Sequence, residues 1–131
     1  MIKDRLKFRA WNKKERIMHY KAEQTYDTYT GCPRIWKQSF SDVLSDENYI
    51  VEQCTGLKDK NGKLIYEGDI IQTPSQRFFL KVDAFNVLAC VYPDCSDAFD
   101  WSMFVADIYH EGRQRFIEVI GNIHENPELM K

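Results

Sequence analysis

Thr55-Gly56-Leu57-Lys58-Asp59-Lys60-Asn61-Gly62-Lys63-Leu64-Ile65-Tyr66-Glu67-Gly68-Asp69-Ile70-Ile71 is dense in turn chemistry and poor in anything that performs catalysis. Asn61-Gly62 stands between Leu57 and the apolar pair Leu64-Ile65. Asn-Gly is the favoured filling of a type I′ turn, whose two central residues both need positive φ, so the stretch predicts a tight β-hairpin. Gly68-Asp69 then separates Ile65-Tyr66 from Ile70-Ile71. A glycine there predicts a second reversal or bulge, turning two short strands into the corner of a small barrel. Lys58, Asp59, Lys60, Lys63, Glu67 and Asp69 are read as solvated residues of these turns, because turn demands account for them without chemistry.

Outward from this hairpin, Leu6, Phe8 and Ala10 alternate with Lys7, Arg9 and Trp11, the period of a half-buried strand. Asn12-Lys13-Lys14-Glu15 is a polar turn, and Ile17-Met18-His19-Tyr20 returns as the partner strand. The alternation places Lys7, Arg9, Lys13, Lys14 and Arg16 outside, with Trp11 beside them. These six residues form a candidate surface for nucleic acid or a protein partner, or a charged edge that discourages aggregation. Residues 22 to 36 lack periodicity and read as a long loop. Ser41 predicts the cap of a short helix over Asp42-Val43-Leu44-Ser45, and Tyr49 to Cys54 a strand. Strands follow from Phe78 to Val82 and from Val87 to Tyr92. Trp101, Phe104, Val105 and Ile108 recur at helical spacing, with Asp100 as N-cap and Gly112 beyond the end, so a short amphipathic helix is expected, with a strand as the competing reading. Phe116 to Ile120 is a strand, Gly121-Asn122 a turn, and Asn126 caps a last helical turn that starts at Pro127.

Composition bounds the function. The chain has 131 residues, 44% of them hydrophobic and 14% aromatic, which suits one self-sufficient domain rather than a disordered chain. The fold class expected is α+β, mostly β, with a barrel-like sheet and short helices over residues 1–131. No apolar run approaches the length that crosses a bilayer, and Met1 to Lys7 lacks the apolar core of a signal peptide, so a cytoplasmic location is expected. Cys32, Cys54, Cys90 and Cys95 are scattered, which suits reduced thiols and no metal site. No cofactor motif is present, and no nucleophile–base pair stands out. Charge is unevenly spread: Met1 to Glu23 holds eight basic residues against three acids, and Asp94 to Lys131 eight acids against three basic residues. Opposed blocks allow packing within the chain, head-to-tail joining of two copies, or a basic end left free for an anionic partner, and composition alone does not choose.

Three separated stretches carry a family resemblance: Lys7-Phe8-Arg9-Ala10-Trp11; Thr55 to Gly62 running into Ile65-Tyr66-Glu67-Gly68-Asp69-Ile70; and Ile120-Gly121-Asn122-Ile123-His124-Glu125-Asn126-Pro127-Glu128-Leu129. Together they resemble the YopX-like proteins of phages and prophages, a family without an established biochemical role. The resemblance implies a small, mostly β fold with an SH3-like barrel portion, a phage or prophage origin and a capacity to form multimers. It implies no catalytic residue. Asn61, Gly62, Gly68, Asp69, Gly121, Asn122, Asn126 and Pro127 are its turn formers. The function expected is a non-enzymatic module for self-association or for binding a phage or host protein, inside the bacterial cell. The alternatives are nucleic-acid binding through the basic first hairpin, and an enzyme built on His124 with Glu125, Asp69 or Glu67.

Overall fold

Alternation at the start of the chain does produce a hairpin. β1 (Phe8–Asn12) pairs antiparallel with β2 (Ile17–Tyr20), Arg9 facing Tyr20 and Asn12 facing Ile17. The computed structural model describes residues 5–24, 40–74, 76–82, 88–93, 98–100 (backbone only) and 116–130. β3 (Tyr49–Lys58) lies on the other side of β1 and runs into β4 (Leu64–Tyr66), giving a sheet of order β2-β1-β3-β4. A second sheet has the order β8-β7-β6-β5-β9, built from β5 (Asp69–Gln72), β6 (Arg77–Val82), β7 (Leu88–Val91), β8 (Ala98–Asp100) and β9 (Glu118–Asn122). All its pairings are antiparallel. The fold is mostly β and curls into a half-barrel. Among the described residues α1 (Phe40–Ser45) is the one α-helix, and a 3-10 turn over Pro127–Met130 begins at proline as expected.

The Gly68 corner is where the chain changes sheets. The Glu67 amide donates to the Gln53 carbonyl of the first sheet at 3.1 Å, and the next amide, Gly68, donates to Leu80 of the second at 2.8 Å. A φ of 84° at Gly68 makes that change of direction within two residues, a conformation that side-chain-bearing residues resist. Within the half-barrel, Ile65, Ile71, Phe78, Leu80, Cys90, Ile117 and Val119 form one core. On the outer face of the first sheet, Ala10, Ala22 and Val43 form a second with Phe8, Phe40, Tyr49 and Val51. Phe40 and Val43 come from α1, so the short helix exists to cover this face rather than through its own propensity.

Several local expectations change. Asn61-Gly62 does not form a type I′ turn: Gly62 has φ of 80°, but Asn61 is not in the positive-φ region. The Gly62 amide donates to Asp59 O at 3.0 Å and the Asp59 amide to Lys63 O at 2.9 Å, a three-residue loop with the glycine at its left-handed position. Asp59 dictates this form, since its Oδ1 accepts the amides of Asn61 and Lys63, both at 2.9 Å. Nor is Asp59 solvated as a turn residue would be: it is 5% exposed, and its Oδ2 accepts the Val119 amide at 2.9 Å. With the Lys60 amide donating to Ile117 O at 2.9 Å, the hairpin tip is sewn to β9 across the opening between the sheets. Gly121-Asn122 is strand, paired with Ile70 and Asp69. The turn comes one residue later, where Asn122 Oδ1 accepts the amides of His124 and Glu125 at 3.0 and 2.9 Å. Gly121 is needed because a Cβ there would overlap the Asn126 carboxamide. Ser41 sits inside the first turn of α1, not before it, and Asp100 ends β8, a strand the sequence did not announce. Residues 25 to 36 of the long loop and the helix expected beyond Asp100 lie outside the described residues.

Asp59→Ala should lower unfolding free energy by about 2–3 kcal/mol, since the buried Val119 amide and two loop amides lose their acceptor. Urea denaturation measures it, and a change within experimental error would show that the hairpin tip does not hold β9.

Candidate functional site

Residues paired across adjacent strands point to the same face, so the register of β1 decides what meets what. Arg9 faces Tyr20 on β2 and Glu52 on β3; two residues on, Trp11 faces Met18 and Ile50. Arg9 is only 1% exposed. Its Nε donates to Glu52 Oε1 at 2.9 Å, its Nη1 to Asp69 Oδ1 at 2.7 Å and its Nη2 to the Glu67 carbonyl at 2.9 Å. The guanidinium lies 5.0 Å from the centre of the Tyr66 ring and 5.9 Å from that of Tyr20. Asp69 Oδ2 accepts the Tyr66 amide at 2.8 Å. Glu52 Oε2 lies 3.0 Å from His124 Nε2, and the His124 ring stacks on Trp11 with centroids 5.3 Å apart. Gly68 passes so close that a Cβ there would overlap the Glu52 carboxylate.

One cation between two buried carboxylates sets the electrostatics. Burial opposes the charge of Arg9, but Asp69 and Glu52 outweigh it and hold the guanidinium protonated above its ordinary range. Burial pushes the Asp69 carboxyl up, and Arg9, which it shares with Glu52, offsets this only in part. The Glu67 carboxyl is also raised, by burial first and then by Glu52, against the Gln53 amide and Arg9. Tyr66 is pushed up to about 12, by burial and then by Cys54 and Glu23. Among the described residues no buried side-chain nitrogen or oxygen lacks a hydrogen-bond partner. The buried polar groups of the cluster thus satisfy one another.

The three stretches singled out in the sequence meet here: Arg9 and Trp11 from the first, Gly68 and Asp69 from the second, His124 from the third. A family described as YopX protein matches residues 7–131. The chain belongs to the YopX family. It is also similar to a solved structure, protein EF1440 from Enterococcus faecalis, with 26% identity over 95% of this chain and 97% of that one and a TM-score of 0.57. Among proteins of curated function none matches.

In this YopX-family chain, the candidate contact surface splits. Lys7, Lys13, Lys14 and Arg16 are exposed, whereas Arg9 and Trp11 are buried and cannot reach a phosphate or a base. The alternation that grouped them holds; what covers that face is the second sheet and the turn after β9, bringing Asp69 and His124 onto it. Arg16 still touches Trp11, its guanidinium 5.9 Å from the ring centre. The groups of the enzyme alternative do not converge on one open position. Asp69 binds Arg9, His124 binds Glu52, Glu125 accepts from Asn122 Nδ2 at 2.9 Å and Glu67 from the Gln53 amide at 3.1 Å. Of the turn formers, Gly62, Gly68 and Gly121 serve backbone needs, while Asp69 is 1% exposed and an ion-pair partner. Asn126 Oδ1 accepts the Asn122 amide at 3.3 Å, tying the Pro127 turn to β9. Glu52 escaped the sequence reading. Its one signal was a charge inside the strand Tyr49-Ile50-Val51-Glu52-Gln53-Cys54.

Arg9→Met should destabilise the fold by about 3–5 kcal/mol, because two buried carboxylates are left facing each other without their cation. Chemical denaturation reads it, and a loss below about 1 kcal/mol, the scale of an exposed pair, would contradict the burial assigned to Arg9. A pH series tests Asp69. Its folded value is raised from the ordinary 3.8, so its contribution is fully present below the unfolded value and is lost as pH rises through the folded one. The stability advantage of the parent over Asp69→Asn should therefore shrink as pH rises through the acid range; an advantage that grows would reverse the assignment.

Proposed function

We propose that this YopX-family chain is a non-enzymatic interaction module of phage or prophage origin, acting in the bacterial cytoplasm and associating with copies of itself. The observation that carries the reading is the commitment of Arg9, Glu52, Asp69 and His124 to a buried network, combined with the position of β2 at the edge of its sheet among the described residues. β2 is the outer strand of its sheet, and it presents Ile17 at 47% and Tyr20 at 46% exposure. On an outer strand every second residue turns its N–H and C=O away from its neighbour, ready to pair with another strand. Ile50 is also partly exposed on the face that carries Trp11 and Met18, extending apolar surface inward from the edge. The basic block over Met1 to Glu23 and the acidic one over Asp94 to Lys131 supply charge complementarity between two copies.

Nucleic-acid binding stands second. It is supported by Lys13, Lys14 and Arg16, which are exposed together on the β1–β2 loop, and it is weakened by the burial of Arg9 and Trp11.

Sedimentation velocity at micromolar concentration should show dimers or larger species at low salt that dissociate as salt rises, since exposed charge pairs are screened. Ile17→Lys should shift the distribution to monomer while changing stability by less than about 0.5 kcal/mol, as expected for an exposed edge position. A strict monomer at every salt concentration would remove the self-association reading.

A further inference from the structure

On the side of β3 where the 3-10 turn before β1 meets the β6–β7 pair, a cavity of about 170 Å³ is lined by Arg5, Gln53, Glu67, Val82 and Leu88 together with Cys54 and Thr55. We propose that it binds a small zwitterion of the amino-acid type, the ligand carboxylate on the Arg5 guanidinium and the ligand ammonium on the Glu67 carboxylate. A cavity of about 150 Å³ accommodates a six-carbon ring, so the space suits about six to eight non-hydrogen atoms. Its two charged side chains have opposite sign and no ion pair joins them. Glu67 Oε2 accepts the Gln53 amide at 3.1 Å, and among the described residues neither its second oxygen nor the Arg5 guanidinium has a partner. A carboxylate oxygen and a guanidinium that both lack a hydrogen-bond partner on one small cavity match a ligand that carries both signs, and neither a pure anion nor a pure cation satisfies both.

The lining is held rather than loose. Gln53 Nε2 donates to the Arg5 carbonyl while the Gln53 backbone holds Glu67, so one residue of β3 sets the positions of both charged neighbours. Val82 and Leu88 add an apolar wall that fits a short aliphatic side chain. Burial already disfavours the Glu67 carboxylate, and an ammonium placed against it reverses that penalty. The site adjoins the Arg9 network through Glu67, whose carbonyl accepts from Arg9 and whose carboxylate also feels Arg9 and Glu52.

The test is a titration of the full chain followed by backbone-amide NMR, with L-alanine and L-2-aminobutyrate as probes and propionate and ethylamine as singly charged controls. The amino acids should produce saturable shifts confined to Arg5, Gln53, Thr55, Glu67 and their neighbours, with either control binding at least about ten-fold more weakly. Arg5→Gln and Glu67→Gln should each weaken binding about ten-fold or more, the usual effect of removing one charged hydrogen bond. Glu67→Gln keeps an acceptor for the Gln53 amide, so it leaves the wall in place. Absence of saturable shifts with the amino acids, equal binding of propionate or ethylamine, or unchanged affinity in both variants would each overturn the proposal.

Discussion

The Arg9 guanidinium, held between Glu52 and Asp69, is the interaction on which the remaining geometry depends. A planar fork with fixed donor directions accepts few arrangements of its partners, so it sets the positions of β1, β3 and the start of β5 relative to one another. Asp69 is the first residue of the second sheet, and its carboxylate therefore fixes where that sheet begins. Gly68 follows from the same constraint, because the backbone has to pass the Glu52 carboxylate at a distance no side chain allows. His124 closes the other flank by taking the second oxygen of Glu52, and Trp11 supports its ring from below. Replacing such a cluster by apolar residues can match its stability, but it does not reproduce the directional fit that selects one packing of the two sheets.

What the sequence conveyed was what neighbouring residues decide. Alternation located β1, short apolar runs between polar turns located β2, β3, β6 and β7, and Pro127 marked the start of the final turn. Asn61-Gly62 located a hairpin but misjudged its form, because an upstream Asp59 carboxylate captured two loop amides and overrode the preference of the dipeptide. Gly121-Asn122 looked like a turn by composition and proved to be the end of a strand whose partner, β5, lies some fifty residues earlier in the chain. The burial of Arg9 could not be read locally at all. Its partners Glu52 and Asp69 lie 43 and 60 residues away, and His124 lies 72 from Glu52. An arginine that alternates with apolar residues looks like a solvent-facing one until those distant groups are known to cover it.

Membership of the YopX family gains physical content from this arrangement. The stretches that resemble the family are not three separate turns; each supplies one part of a single buried polar cluster or of the backbone that passes it. A histidine, two acids and an arginine, residue types often linked with chemistry, here bind one another and join the two sheets. The surfaces proposed above for recognition, the edge of β2, the charged β1–β2 loop and the small cavity beside Gln53, lie outside this cluster.

The sequence separations in the Arg9 cluster also order events during synthesis. Arg9 leaves the ribosome first, then Glu52, Asp69 and last His124, so the earliest group waits for partners that do not yet exist. The charge of Arg9 has no buried carboxylate to meet until Glu52 and Asp69 have emerged. Contacts of such long range are slow to close, because chain entropy has to be spent before they return any energy. A nascent chain that stalls before residue 124 leaves one oxygen of Glu52 without its native partner.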